Sequence, residues 1–223
     1  DSEYEECLLK AHFLTKADAP FELIETLRHE TGKGFHLLER HLARLSASAH
    51  HFGYPFSREA VLDALNAEAA RITADIALVR MVLAEDGTIV VTSREITLPT
   101  KDTVWRFVIS DQRVDEKDPL FYHKTTRRQF YDQEMERQKA LTGCDEVVFL
   151  NTRGELTEGT RTTLFLEQDG RLFTPALACG LLPGTLREEL LDLPRAAASE
   201  AVLTPADLAR AERIYLGNSV RGL

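Results

Sequence analysis

Hydrophobic and polar positions change period several times along the chain, and each change marks an element. Residues 21–29 alternate as a strand, and Thr31, Gly32, Lys33 and Gly34 supply the turn into a second extended piece holding Phe35, Leu37 and Leu38. From Glu39 the period becomes helical, with Leu42, Leu45, Ala49 and Phe52 on one side until Gly53, Tyr54 and Pro55 stop it. Ser57 then reads as the cap of a second helix carrying Val61, Leu62, Leu65, Ala69 and Ile72. Residues 77–85 and 88–96 are two strands around Asp86 and Gly87, a strong hairpin signal. The N-terminal stretch is polar and then apolar from Cys7 to Leu14, a lead-in segment.

Beyond a break at Leu98, Pro99, Thr100, Lys101 and Asp102, residues 105–109 form a strand and 125–141 a densely charged helix. Residues 146–150 are an apolar strand, turned at Asn151, Thr152, Arg153 and Gly154 into a short piece ending at Glu158 and Gly159, with a second apolar run at 163–166. Asp169 and Gly170 turn into a strand at 171–174, a helix starts at Gly184 and Thr185 and runs to Leu191, and the remainder reads as strand 201–203, helix 205–211 and strand 214–216. The pattern is α+β. It divides into a small N-terminal domain, 1–100, and a larger, β-rich C-terminal domain, 101–223, with a cleft between them.

Charge and composition narrow the function classes. With 27 basic and 36 acidic residues the net charge is -9, which makes nucleic acid and anionic membranes poor partners. No apolar run approaches spanning length, and the acidic N-terminus does not read as a secretory signal, so the expected location is the cytoplasm. The 3 cysteines lie far apart and the 7 histidines lack ligand spacing, so reduced structural thiols and no metal site are expected.

Glu158 stands out in this pattern: a carboxylate between two strand segments sits where Val or Ile would be ordinary. Alone it would read as a solvated strand end. In context, residues 155–165, the run Tyr122, His123, Lys124, Thr125 and Thr126, and the run 180–187 (Gly-Leu-Leu-Pro-Gly-Thr-Leu-Arg) resemble the class IV, fold-type IV pyridoxal-phosphate enzymes. Glu25, Thr26, Leu27 and Arg28, residues 40–49, and Leu216, Gly217, Asn218 and Ser219 extend the likeness in the family's order. That family includes branched-chain and D-amino-acid aminotransferases and 4-amino-4-deoxychorismate lyase.

The resemblance implies a fold of the D-amino-acid aminotransferase type, pyridoxal 5'-phosphate as cofactor and a role for each matching residue. Lys124 would be the lysine that attaches the cofactor and the general base; next to Phe121 and Tyr122, desolvation could lower its pKa. Glu158 would pair with the pyridine nitrogen and keep the ring an electron sink. Arg44, whose planar fork suits an oxyanion, would hold the phosphate together with the N–H groups of Thr185 and Leu186, Ser219 and the threonines Thr162 and Thr163. Thr163 and Arg127 stand where many relatives carry Asn.

The likeness is nearest to the lyase portion of fused aminodeoxychorismate synthase/lyase proteins. It implies elimination of pyruvate from 4-amino-4-deoxychorismate to give 4-aminobenzoate for folate synthesis. Two substrate carboxylates call for arginines, with Arg161 first and Arg28, Arg80 and Arg127 also candidates, and Thr26 as a substrate-side hydroxyl. A D- or branched-chain amino-acid aminotransferase and a non-catalytic assembly domain of an aminodeoxychorismate synthase are the alternatives. A homodimer is expected, and attachment to or association with a synthase. The family's first strands are missing before Phe21, which implies preceding sequence, and the end at Leu223 implies a trimmed C-terminus.

Overall fold

The computed structural model describes residues 20–100, 102–193 and 198–223. The lead-in segment expected before residue 17 lies outside them. Two sheets make up the fold, one of four strands in the order β2-β1-β3-β4 and one of seven in which β10-β9-β8-β7-β6-β5 are joined by β11 pairing with β8.

In the first sheet, β1 (Leu23–Glu30) pairs antiparallel with β2 (Gly34–Phe35) and with β3 (Ile76–Leu83), which turns back through Gly87 into β4 (Ile89–Glu95). Burial alternates strictly along β3, so one face belongs to the core and the other does not. The core face, Leu23, Leu27, Val79, Met81 and Leu83, is covered by α1 (Leu38–Phe52) and α2 (Arg58–Ala69) through Leu42, Leu45, Ala49, Val61 and Leu65. The uncovered face of β1 and β3 carries Ile24, Thr26, Leu78 and Arg80, and Thr26 lies in register with Arg80. The expected strand through Leu37 and Leu38 is replaced by a helix start, because Leu37 adopts a left-handed φ of 54° that ends the extended run.

The second sheet begins with β5 (Phe107–Val114), which runs parallel to β6 (Glu146–Asn151), the crossover being made by a 3-10 turn at Pro119–Tyr122 and α3 (Gln129–Thr142). β6 is buried at every position and turns into β7 (Leu156–Gly159). After it come β8 (Thr163–Gln168), β9 (Arg171–Pro175), α4 (Thr185–Asp192), β10 (Ala198–Ala201), α5 (Pro205–Arg210) and β11 (Arg213–Gly217). One core, from Val148, Leu150, Leu156, Leu164, Leu166 and Leu203, lies toward β11 and α5; another, from Val114, Tyr131, Cys144, Val147 and Phe149, lies under α3.

Three boundaries differ from the sequence reading for definite reasons. β5 runs on from residue 109 to Val114 because it is the sheet's edge, where Asp111, Gln112 and Arg113 face solvent and a register shift breaks the alternation. The strand expected at 201–203 is earlier, at Ala198–Ala201, paired parallel with β9. The helix expected from residue 125 starts at Gln129, because the preceding backbone is held by β1: Ile24 N–H donates to the Lys124 carbonyl at 2.9 Å, and Thr126 N–H to the Glu22 carbonyl at 2.8 Å. Those two bonds join the sheets at Lys124.

Candidate active site

A cavity of about 670 Å³ opens where the two sheets meet. Lys124 lines it, fixed through its backbone to the start of β1 and followed by the irregular stretch before α3. Burial lowers the Lys124 ammonium to a pKa of about 8, and the positive charges of Arg44 and Arg128 push the same way. Such an amine is a far better nucleophile and base near neutrality than a surface lysine.

One end of the cavity is closed by α1 and the start of α4. Glu25, 1% exposed, projects from the core face of β1 toward α1, against His41 and Arg44. Arg44 donates to both Glu25 oxygens, at 2.9 and 2.6 Å, and to the Pro183 carbonyl at 2.9 Å. Burial raises the Glu25 carboxyl, yet Arg44 and His41 outweigh it and hold the pKa at about 2. Burial in turn lowers the His41 pKa despite Glu25, so the ring is neutral at pH 7. Its Nδ1–H then donates to Glu25 at 2.6 Å, and its Nε2 accepts the Thr185 hydroxyl at 3.3 Å. The hydroxyl is thereby turned to His41, while the first N–H groups of α4 have no side-chain cap. A helix N-terminus beside a fixed guanidinium that still has two N–H bonds to give is an oxyanion site. Gly184 allows the approach: a Cβ there would sit 2.8 Å from Thr163 Oγ1.

Glu158, the last residue but one of β7, lies on the same cavity, 8% exposed. Tyr131 O–H donates to its Oε1 at 2.8 Å and Leu182 N–H at 3.3 Å, while Oε2 has no donor among the described residues. Burial raises its pKa to about 7, against the lowering effect of those two donors. A buried carboxylate with one oxygen unserved suits a cationic N–H. The loop after it is pinned by Glu146, buried under it, which accepts from Thr160 N–H at 3.0 Å, from the Thr160 hydroxyl, and from the Thr162 hydroxyl at 2.9 Å. A side chain on Gly159 would collide with Thr162, so the residue after Glu158 must be glycine.

Of the residues singled out in the sequence, Thr26, Arg44, Arg80, Lys124, Arg127, Glu158, Arg161, Thr162, Thr163, Thr185, Leu186 and Ser219 all line this cavity. Thr162 spends its hydroxyl proton on Glu146 rather than on the cavity. Arg28 is the exception: it is not among the lining residues, its Nε lying 2.9 Å from Glu30 and its Nη1 donating to the carbonyl of Val220, which does line the cavity, at 3.2 Å. Sequence reasoning missed Glu25, His41, Tyr131 and Glu146, which hold the predicted residues, and Arg94, Arg128 and Arg221, which also line the cavity. Glu25 had a visible signal, a carboxylate at an inward position between Leu23 and Leu27.

Pyridoxal phosphate fits this set. An amine of lowered pKa, a carboxylate oxygen awaiting an N–H donor, and an uncapped helix end beside an arginine match the aldehyde, the ring nitrogen and the phosphate. None of the described helices is long and apolar enough to cross a membrane.

Comparison with known proteins agrees. The chain is 32% identical over 189 residues to a Schizosaccharomyces pombe protein provisionally named aminodeoxychorismate lyase, covering 83% of this chain and 80% of that one. It is 25% identical over 206 residues to a Thermotoga maritima protein provisionally named branched-chain-amino-acid aminotransferase, covering 89% and 74%. A crystal structure from Mesorhizobium loti, provisionally named amino-acid aminotransferase, superposes with a TM-score of 0.85 at 39% identity, covering 91% of this chain and 97% of that one. The profile described as amino-transferase class IV matches residues 22–223, and with it the chain belongs to the class IV aminotransferase family of pyridoxal-phosphate enzymes.

Proposed function

We propose that this enzyme eliminates pyruvate from 4-amino-4-deoxychorismate, giving 4-aminobenzoate. The observation that carries the reading is the polar share of the cavity lining: Thr26, Arg80 and Arg161 line it together with Lys124 and Glu158, beside apolar residues such as Ile24 and Leu78, where a branched-chain amino acid would call for apolar contacts alone. A substrate with two carboxylates suits such a lining. The lyase name of the fungal relative points the same way.

Arg44 and the N-terminus of α4 would hold the phosphate, and Lys124 would attach the cofactor. When bound, the cofactor withdraws electrons from the substrate carbon next to the amine. Glu158 would keep the ring nitrogen protonated, with Tyr131 and Leu182 fixing the carboxylate that does so. Lys124 Nζ would accept the proton of the amine-bearing ring carbon, since its lowered pKa leaves it neutral in a useful fraction near pH 8. Arg80 and Arg161 orient the substrate so that the carbon–oxygen bond to the leaving group breaks and the ring becomes aromatic. Atoms balance with no second substrate.

The test is to supply 4-amino-4-deoxychorismate to the loaded enzyme and follow 4-aminobenzoate by fluorescence and pyruvate by a coupled assay. Equimolar products are expected. No 4-aminobenzoate, together with oxo acid from a D- or branched-chain amino acid, would replace the lyase with the aminotransferase, which the name of the Mesorhizobium loti structure favours. The reading also carries the expectation of a homodimer and of a synthase as a functional partner, checked by sedimentation with and without the synthase.

A further inference from the structure

Arg161 of that lining is joined by two further guanidinium groups from distant parts of the chain. Arg94 comes from β4, Arg161 from the loop between β7 and β8, and Arg221 from the turn after β11; all three line the main cavity. Arg94 and Arg221, with Leu78 and Val220, also line an adjoining hollow of about 240 Å³ whose other walls are Glu95, Ile96 and Thr97. No carboxylate among the described residues lies within ion-pairing distance of any of the three, whereas most other arginines of the protein have one. Three cations gathered with no carboxylate close enough to pair repel one another and leave a net positive field for an incoming anion.

The cluster is built rather than incidental. The Asn218 side chain spans its two loops: its Oδ1 accepts the N–H groups of Val220, at 3.0 Å, and Arg221, at 2.9 Å, and its Nδ2 donates to the Arg161 carbonyl at 3.1 Å. Glu146 fixes the Arg161 loop from beneath through Thr160 and Thr162, and Arg28 fixes the Arg221 turn through the Val220 carbonyl. The Arg221 guanidinium lies 5.7 Å from the centre of the Trp105 ring, which holds it in place without neutralising it. Burial lowers the pKa of Arg221, and Arg161 and Arg94 lower it further against the smaller opposing pull of Glu146.

We propose that Arg94, Arg161 and Arg221 form the receptor for the substrate carboxylate remote from the reacting amine, the one carried on the short enol-ether arm. The inference rests on the cavity being the substrate site of the proposed lyase. The adjoining hollow supplies what the arm needs, with apolar contact from Leu78, Ile96 and Val220 beside the cations. Two carboxylate oxygens accept from such a cluster in forked fashion, and the anion relieves the mutual repulsion of the three groups.

The experiment uses holoenzyme and binding, not turnover. Chorismate carries both carboxylates but no amine; 4-aminobenzoate keeps the ring carboxylate and lacks the arm. Calorimetric titration of wild type, Arg94→Gln, Arg161→Gln, Arg221→Gln and Arg221→Lys with both probes is compared with Arg58→Gln, a surface control of equal charge change, since Arg58 sits in an exposed pair with Glu39. Each receptor substitution to Gln is expected to weaken chorismate about 10- to 100-fold, Arg221→Lys less, and none to shift 4-aminobenzoate more than about two-fold. Thermal midpoint and cofactor loading should stay at wild-type values, which excludes misfolding as the cause. Equal weakening of both probes, no weakening of chorismate, or an equal effect from Arg58→Gln would overturn the receptor, as would a wild type that binds no chorismate. A wild type that binds chorismate through these arginines but forms no 4-aminobenzoate from the amine substrate would sink the lyase reading and leave the receptor standing.

Discussion

The two ends of the cavity treat positive charge in opposite ways. At the end under α1 and α4, Arg44 is buried and bound twice by Glu25, and Glu25 is bound again by His41. At the other end Arg94, Arg161 and Arg221 come together with no carboxylate among the described residues within ion-pairing distance, Glu146 acting on Arg221 only from farther away. A site that holds one permanent group benefits from a rigid, charge-balanced frame, since pairing fixes each guanidinium before the ligand arrives. A site that must take in and release an anion at each turnover gains from unbalanced charge, because the anion itself completes the balance. The difference separates the residues that keep shape from those that select substrate.

The largest break in this scheme is at the hinge between the two ends. Lys124→Ala should lower turnover by at least about 10³-fold and abolish covalent labelling when the loaded enzyme is reduced with borohydride and mapped. Folding should survive, since a partly buried amine near its neutral form is replaced by a methyl group. Turnover within ten-fold of wild type would remove Lys124 from the chemistry.

Next in size is a stability contrast. Glu25→Gln leaves Arg44 charged and buried without its partner, and should cost about 3–5 kcal/mol in urea unfolding. Arg94→Gln should change stability by no more than about 0.5 kcal/mol and Arg221→Gln by about 1 kcal/mol at most, since neither breaks an ion pair and the latter loses only the contact with the Trp105 ring. The same contrast appears in acid. Glu25 has a folded pKa of about 2 against an ordinary 4.5, so its stabilisation is whole above pH 4.5 and lost as pH falls toward 2. Glu25→Gln should flatten the stability curve in that window. Equal costs at both ends would erase the distinction between frame and receptor.

How much of this was legible in the sequence follows the physics of each element. β3 and α1 were legible because one face of each is buried, which imposes period 2 or 3.6. β5 was cut short because an edge strand imposes no such pattern on residues 110–113. The start of α3 was set by a contact about a hundred residues away, between Thr126 and Glu22, which local propensity does not contain. Within the site, Lys124, Glu158 and Arg44 were found by likeness to a family, and the structure gathers them on one cavity. Tyr131 reads as one more apolar position on a charged helix, and its hydroxyl gains a meaning only when Glu158 is placed beside it. Arg94 and Arg221 lie far apart in the chain, so only the topology brings them together; Arg28, a candidate because two substrate carboxylates call for arginines, donates to the Val220 carbonyl.

A smaller effect sharpens the account of the hinge. The neutral fraction of the Lys124 amine reaches one half near pH 8, where an ordinary lysine would still be almost wholly charged. Covalent capture of pyridoxal phosphate by the cofactor-free enzyme should therefore speed up about ten-fold per pH unit below 8 and level off above it. A rate still climbing at pH 10 would mean that burial does not shift this amine.

The smallest expected effect returns to the two ends. Salt screens charges that solvent reaches and hardly touches those it does not: the screening length falls from about 10 Å at 0.1 M to about 3 Å at 1 M. Arg94 and Arg161 are exposed, whereas Arg44 and Glu25 are buried. Raising ionic strength with an inert salt across that range should raise KM for the dicarboxylate substrate several-fold, leave kcat unchanged, and leave the affinity for pyridoxal phosphate within about two-fold. In Arg161→Gln the salt dependence of KM should be shallower, because one of the screened charges is already gone. A cofactor affinity that fell as steeply as substrate affinity would mean that the phosphate end also relies on open, unpaired charge, and the division between a balanced frame and an unbalanced receptor would fail.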